Sequence, residues 1–83
     1  MPAGVYIVGQ DIPAGSYRIE YRPANDYSFC YITATRESPY YFFYTQLGYG
    51  SSSEIGKLDL QEGMEVEISM ADLYFYTYTG LFH

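Results

Sequence analysis

The sequence predicts an all-β domain, an antiparallel β-sandwich (jelly-roll-like or a small barrel) of about seven short strands. Three observations carry this. Apolar and polar residues alternate with period 2 almost from end to end, the signature of half-buried strands. Clusters of Gly, Pro, Asn and Asp interrupt the alternation every 8–12 residues or about that. No segment of about ten residues or more shows the 3.6-residue period of an amphipathic helix.

Gly4 to Val8 opens as a short strand and Gly9 stops it. Gln10 to Gly15 (QDIPAG) is a turn, in which Pro13 presets one dihedral. Ser16 to Arg22 is the clearest strand, with Tyr17, Ile19 and Tyr21 on one face and Arg18, Glu20 and Arg22 on the other. Pro23 to Asp26 breaks it. Tyr27 to Thr35 is the third strand, with Cys30, Ile32 and Ala34 inward, and Arg36 to Pro39 a turn. Tyr40 to Leu47 (YYFFYTQL) is apolar on both sides, so its facing stays open. Gly48 to Ser53 is a loop, Glu54 to Leu60 a strand with Leu58 and Leu60 inward, and Gln61-Glu62-Gly63 a tight hairpin turn. Met64 to Met70 places Met64, Val66, Ile68 and Met70 inward and Glu65, Glu67 and Ser69 outward. Ala71-Asp72 turns the chain, Leu73 to Thr79 is the last strand, and Gly80 to His83 a tail.

Size and charge narrow the function classes. The 83 residues make one domain, 1–83, and a chain of this length buries about 60–65% of its surface on folding. One cysteine allows no internal disulfide. Aromatics are 20% of the residues, with 12 Tyr and 5 Phe, a composition built for strands rather than for disorder. The net charge is -6, and the four basic residues Arg18, Arg22, Arg36 and Lys57 form no stripe. A nucleic-acid partner needs such a stripe, so none is expected. Membrane insertion is not expected either, because no apolar run approaches the ~20 residues of a span. Met1 leads straight into Pro2 and a strand, without a signal-peptide pattern, so an exported parent would carry this chain as a mature module.

The stretch Gly4 to Tyr17, GVYIVGQDIPAGSY, resembles a G-x-Y-x-V-G-x-D-I-P-A-G-x-Y element that opens small β modules of bacterial secreted proteins and lipoproteins. Leu58 to Ile68, LDLQEGMEVEI, is similar to their closing hairpin. The resemblance implies a β fold and an extracellular or cell-surface setting as part of a larger protein. It implies no activity. In physical terms, Asp11 accepts from nearby backbone N–H groups to close the turn, and Ile12 plugs the end of the core.

No catalytic set is expected. The only histidine, His83, stands at the fraying end of the chain, and Cys30 is an inward strand residue. Nucleophilic catalysis needs a base beside its nucleophile, and structural zinc needs four Cys or His ligands. No metal or cofactor is therefore expected. Glu65 and Glu67 share one face of a strand, with Glu62 just outside, but a flat strand face offers no cleft for glycoside hydrolysis or Ca²⁺. A solvated strand face is the expected setting of these acids, one that Arg18 and Arg22 on the polar face of their own strand could pair with across strands.

Tyrosine exceeds what folding requires. Tyr40, Tyr41 and Tyr44 cluster with Phe42 and Phe43, while Tyr74, Tyr76 and Tyr78 stripe one face of the last strand opposite Leu73 and Phe75. Tyrosine combines a broad apolar face with a polar tip at low entropy cost. These six are the candidate contact surface. They either simply cover the sheet, meet a protein partner or a second copy of the chain, or stack sugars. The expected core is Val5, Ile7, Ile12, Tyr17, Ile19, Ile32, Leu58, Leu60, Val66, Ile68, Leu73 and Phe75. The function expected from these readings is a non-catalytic accessory, adhesion or protein-interaction module, with carbohydrate binding as the alternative.

Overall fold

A strand whose side chains alternate has one apolar face, and a sheet of such strands must be covered by a second layer. The computed structural model, which describes residues 1–25 and 27–77, meets this demand with two antiparallel sheets. The strands are β1 (Gly4–Ile7), β2 (Gly15–Glu20), β3 (Phe29–Arg36), β4 (Tyr41–Gly48), β5 (Glu54–Leu60), β6 (Glu65–Ser69) and β7 (Tyr74–Thr77). One sheet runs β1-β6-β3-β4 and the other β5-β2-β7. The described residues hold no helix, and so none long and apolar enough to cross a membrane. The sheets do not close on each other, and the 18 Å short axis of the molecule is that of two layers.

The core lies between the sheets. Tyr17, Ile19, Leu58, Leu60 and Leu73 come from one side, and Cys30, Ile32, Ala34, Leu47, Val66 and Ile68 from the other. Val8, Ile12 and Met64 close one end, where Val8 donates to the Met64 carbonyl (2.9 Å) and Gly63 to that of Val8 (3.0 Å). The QDIPAG corner closes on itself. Asp11 Oδ2 accepts from the Ile7 N–H (2.8 Å), and the Tyr17 hydroxyl donates to the Pro13 carbonyl. Tyr17 is thus buried with its phenol partnered, and burial raises its pKa. The spacing of Asp11, Pro13 and Tyr17 in the opening element has this hydrogen bonding as its physical content.

Five expectations are corrected. Val5 is exposed, because it pairs with Glu67 of β6 and shares its outward face; Ile7, opposite Glu65, is only half-buried. Phe75 is likewise half-buried, packed edge-on against Tyr17 at 5.8 Å. Met70 is 64% exposed, since its φ of 80° takes the chain out of the strand after Ser69. Gln61–Gly63 is a corner between sheets and not a hairpin turn, for β5 pairs with β2 while β6 pairs with β1 and β3. Among the described residues, β3 and β4 are the only consecutive strands that form a paired hairpin.

Candidate functional site

Each sheet has an outward face, and both carry aromatics. On the three-stranded sheet, Leu73 is buried and Phe75 turned inward, which commits Tyr74 and Tyr76 outward. Register sets Tyr76 opposite Arg18 and Tyr74 opposite Glu20. The two arginines of β2 and its extension then lie over these rings. The Arg18 guanidinium sits 4.2 Å from the Tyr76 centroid, and that of Arg22 sits 4.0 Å from the Tyr74 centroid. Arg22 also donates to the Tyr76 hydroxyl (2.7 Å) and to Glu20 (2.6 Å), and Arg18 donates to Glu54 (3.0 Å). The bond from Arg22, assisted by the charge of Arg18, holds the Glu20 carboxyl below its ordinary pKa. The acids that meet Arg18 and Arg22 are therefore Glu20 and Glu54 of their own sheet. Glu65 and Glu67, which the sequence offered as possible cross-strand partners, lie exposed on β6 in the other sheet, the solvated strand face expected of them.

The outward face of the four-stranded sheet is built differently. Cys30, Ile32 and Ala34 are fully buried, which commits Phe29, Tyr31, Thr33 and Thr35 of β3 outward. On β4 the buried Leu47 and half-buried Tyr41 and Phe43 point inward, so Phe42 and Tyr44 point out. Thr33 pairs with Tyr44 and Tyr31 with Gln46, so Tyr31 and Tyr44 are diagonal neighbours on one face. Their rings stack at 5.7 Å and 16°. Tyr31 meets Phe29 edge-on at 5.5 Å, Phe29 meets Tyr49 at 6.1 Å, and Tyr49 meets Tyr27 at 6.4 Å. The result is one continuous aromatic row, Tyr44–Tyr31–Phe29–Tyr49–Tyr27.

Loop chemistry places the last two members. Gly48, Tyr49 and Gly50 have φ of 84°, 49° and 79°, three left-handed residues in succession that fold the chain back beside Phe29. Asn25 Oδ1 accepts from the Tyr27 N–H (2.9 Å) and the Ser28 hydroxyl (3.2 Å), a side-chain turn that fixes Tyr27. The outward acids of β6 stand at and beyond the Tyr44 end of the row, with Ser69 level with Tyr31. The sheet register aligns Glu67 with Thr33 and Tyr44, and Glu65 with Thr35 and Phe42.

The six residues singled out from sequence divide as follows. Tyr44 joins the aromatic row. Tyr40 is 78% exposed in the turn before β4, on the rim of a shallow groove with Arg36, Glu62 and Glu65. Tyr41 turns toward the core. Tyr74 and Tyr76 lie under arginines, and Tyr78 falls outside the described residues, as does His83. Sequence reasoning missed Tyr27, Phe29, Tyr31 and Tyr49. The signal for two of them was present, since an inward Cys30 and Ile32 force Phe29 and Tyr31 outward. Cys30 itself is sealed between the sheets, where burial pushes its thiol up to about 11. No family model, curated protein or solved structure matches the chain.

Proposed function

We propose that this chain is a non-catalytic interaction module of a bacterial surface or secreted protein, and that it engages a protein partner through the aromatic row of β3, β4 and the Gly48–Ser53 loop. The observation that carries this reading is the continuity of the row, with Tyr27, Tyr44 and Tyr49 each more than half exposed. Outward aromatic rows of this length mark contact surfaces rather than plain sheet cover. The resemblance of Gly4–Tyr17 to bacterial envelope modules supports the setting.

Ring orientation favours protein over carbohydrate. A sugar stacks on an open ring face. Tyr31 and Tyr44 turn faces toward each other, and Tyr74 and Tyr76 carry guanidinium groups on theirs. The acids Glu67 and Glu65, at and beyond the Tyr44 end of the row, add charge that suits cationic side chains in the partner. The opposite sheet shows the same ingredients, Tyr with Glu, satisfied by the chain's own Arg18 and Arg22. On the β3–β4 face the cation comes from the partner.

A phage-displayed peptide library tests this. Selection on the parent should enrich Arg- or Lys-containing peptides that a Tyr31→Ser/Tyr44→Ser variant no longer binds and a Tyr74→Ser variant still does. Soluble β-linked oligosaccharides that shift the Tyr31 and Tyr44 ring resonances, with no peptide enriched, would transfer the reading to carbohydrate.

A further inference from the structure

The four-stranded sheet ends on β4, and its free edge differs from every other edge among the described residues. Sheet edges are normally blunted by shortness, charge, proline or a bulge, because an open row of N–H and C=O groups recruits another strand. β1 and the described part of β7 have four residues each. β5 carries Glu54, Lys57 and Asp59, and its register against β2 is broken between Tyr17 and Ile19. β4, YFFYTQLG, has none of these devices. It has eight residues, no charge and no proline, and its register against β3 is unbroken from Tyr41 to Gly48. Among the described residues it pairs with β3 alone. On this strand only two long side-chain contacts reach backbone carbonyls, Thr45 Oγ1 to Gln46 (3.5 Å) and Gln46 Nε2 to Gly48 (3.4 Å).

We propose that β4 is a homotypic pairing strand: two copies of the chain join antiparallel along it, about a two-fold axis through Tyr44, and fuse their four-stranded sheets into one. The register follows from two constraints. Gly48 is left-handed, so the extended segment able to pair ends at Leu47, and Tyr41–Leu47 is centred on Tyr44. With the axis perpendicular to the sheet, outward residues must meet outward residues. Pairing about Tyr44 satisfies this, with Phe42 opposite Gln46 of the second copy and Tyr41 opposite its Leu47.

The uncharged, self-complementary segment Tyr41–Leu47 points to a second copy, and charge does not oppose one there. At a net charge of -6 two copies repel, so they can meet only where their charges are remote. The outward acids of this sheet, Glu65 and Glu67, stand two strands in from β4. At ~4.8 Å per strand, the two sets lie about 24 Å apart across the joint, about three Debye lengths at physiological salt. The antiparallel arrangement also sets the turn bearing Arg36 and Glu37 beside the uncharged Gly48–Ser53 loop of the second copy. A parallel joint would set Glu37 against its own copy. Partial burial of Tyr41, Phe42, Phe43 and Tyr44 on both sides covers on the order of 800–1,000 Å², the range of a weak, concentration-dependent dimer.

This inference goes beyond the proposed function and does not need it, because it rests on the open edge of β4, where Tyr44 is the one member of the aromatic row that lies at the joint. The test leaves Tyr31 and Tyr44 intact. Light scattering after size exclusion, from about 10 μM to about 1 mM, should show the parent moving toward twice its 9.5 kDa mass. Phe42→Lys/Gln46→Lys sets lysine against lysine twice across the joint and should stay monomeric, with the far-UV spectrum and melting temperature of the parent. Phe42→Lys/Gln46→Glu sets lysine against glutamate and should dimerise again. A parent that stays monomeric to the highest concentration, a dimeric double-lysine variant, or a monomeric Lys/Glu variant each overturns the proposal. Loss of peptide binding at Tyr31 and Tyr44 bears on the proposed function and leaves this result untouched.

Discussion

The junction at Gly48 ties the aromatic row to the core, and a pair of alanine substitutions measures how tightly. A Cβ added at Gly48 would stand 2.5 Å from the Ser28 carbonyl oxygen, 2.7 Å from Tyr21 Cε2 and 3.2 Å from Phe29 Cα. Two of these neighbours are backbone of the segment entering β3, the strand with which Gly48 itself pairs, so neither can swing aside. Gly50, two residues on, has nearly the same φ, and a Cβ there meets nothing within 4 Å. Gly50→Ala thus bears the left-handed cost alone, about 1–2 kcal/mol. Gly48→Ala bears that cost plus overpacking of about 1–3 kcal/mol. The larger sum is a serious fraction of the ~4–12 kcal/mol expected of a domain this size. Urea titration at equilibrium gives both values. In thermal melts Gly48→Ala should fall below Gly50→Ala by at least about 5 °C. Equal losses at the two positions would refute the reasoning, for they would mean that β3 and Tyr21 yield freely around residue 48.

Two further predictions concern the core. Ile68→Ala removes a side chain that is 2% exposed and should cost about 2–5 kcal/mol, whereas Val5→Thr on the outward face should stay within about 0.5 kcal/mol; urea midpoints that reverse this order would reject the facing of β1 and β6. Burial raises the Cys30 thiol from 9.0 to about 11, so the folded state holds its proton more tightly than the unfolded chain. Its contribution is fully present below about pH 9 and is lost as pH rises toward 11. At pH 8 the shift alone should make native Cys30 about a hundred-fold slower toward a thiol reagent than the urea-unfolded chain, and equal rates would show the thiol to be open to solvent.

The alternation of side chains was legible in the sequence because it depends only on the strand's own period. Tyr17, Ile19, Ile32, Val66, Ile68 and Leu73 are buried as expected, and Tyr74 and Tyr76 face outward opposite Leu73 and Phe75. The errors fall where a partner strand decides. Val5 and Tyr6 both belong to an apolar segment, and only the pairing of Val5 with Glu67 shows which face is wet. YYFFYTQL has no polar face of its own, and β3 settles it by pairing Tyr44 with the outward Thr33. Gln61-Glu62-Gly63 reads as a hairpin, and what makes it a corner is bonding to Val8, more than fifty positions away.

The two outward faces also show why counting tyrosines did not locate the candidate site. Both faces carry rings and carboxylates, and they differ in where the cations went. Arg18 and Arg22 follow strand β2, so register with β7 delivers both to Tyr74 and Tyr76. Arg36 is held by Gln61 and the Pro39 carbonyl at the far end of β3. Lys57 lies on β5, in the other sheet. None of these four basic residues lies over the row from Tyr44 to Tyr27, whose rings instead satisfy one another. On the proposed reading, a stripe of phenols is free to serve as a contact surface only where the pairing register withholds the chain's own arginines. That register is set by strands distant in sequence, so it separates the β3–β4 face from the β2–β7 face when composition and periodicity cannot.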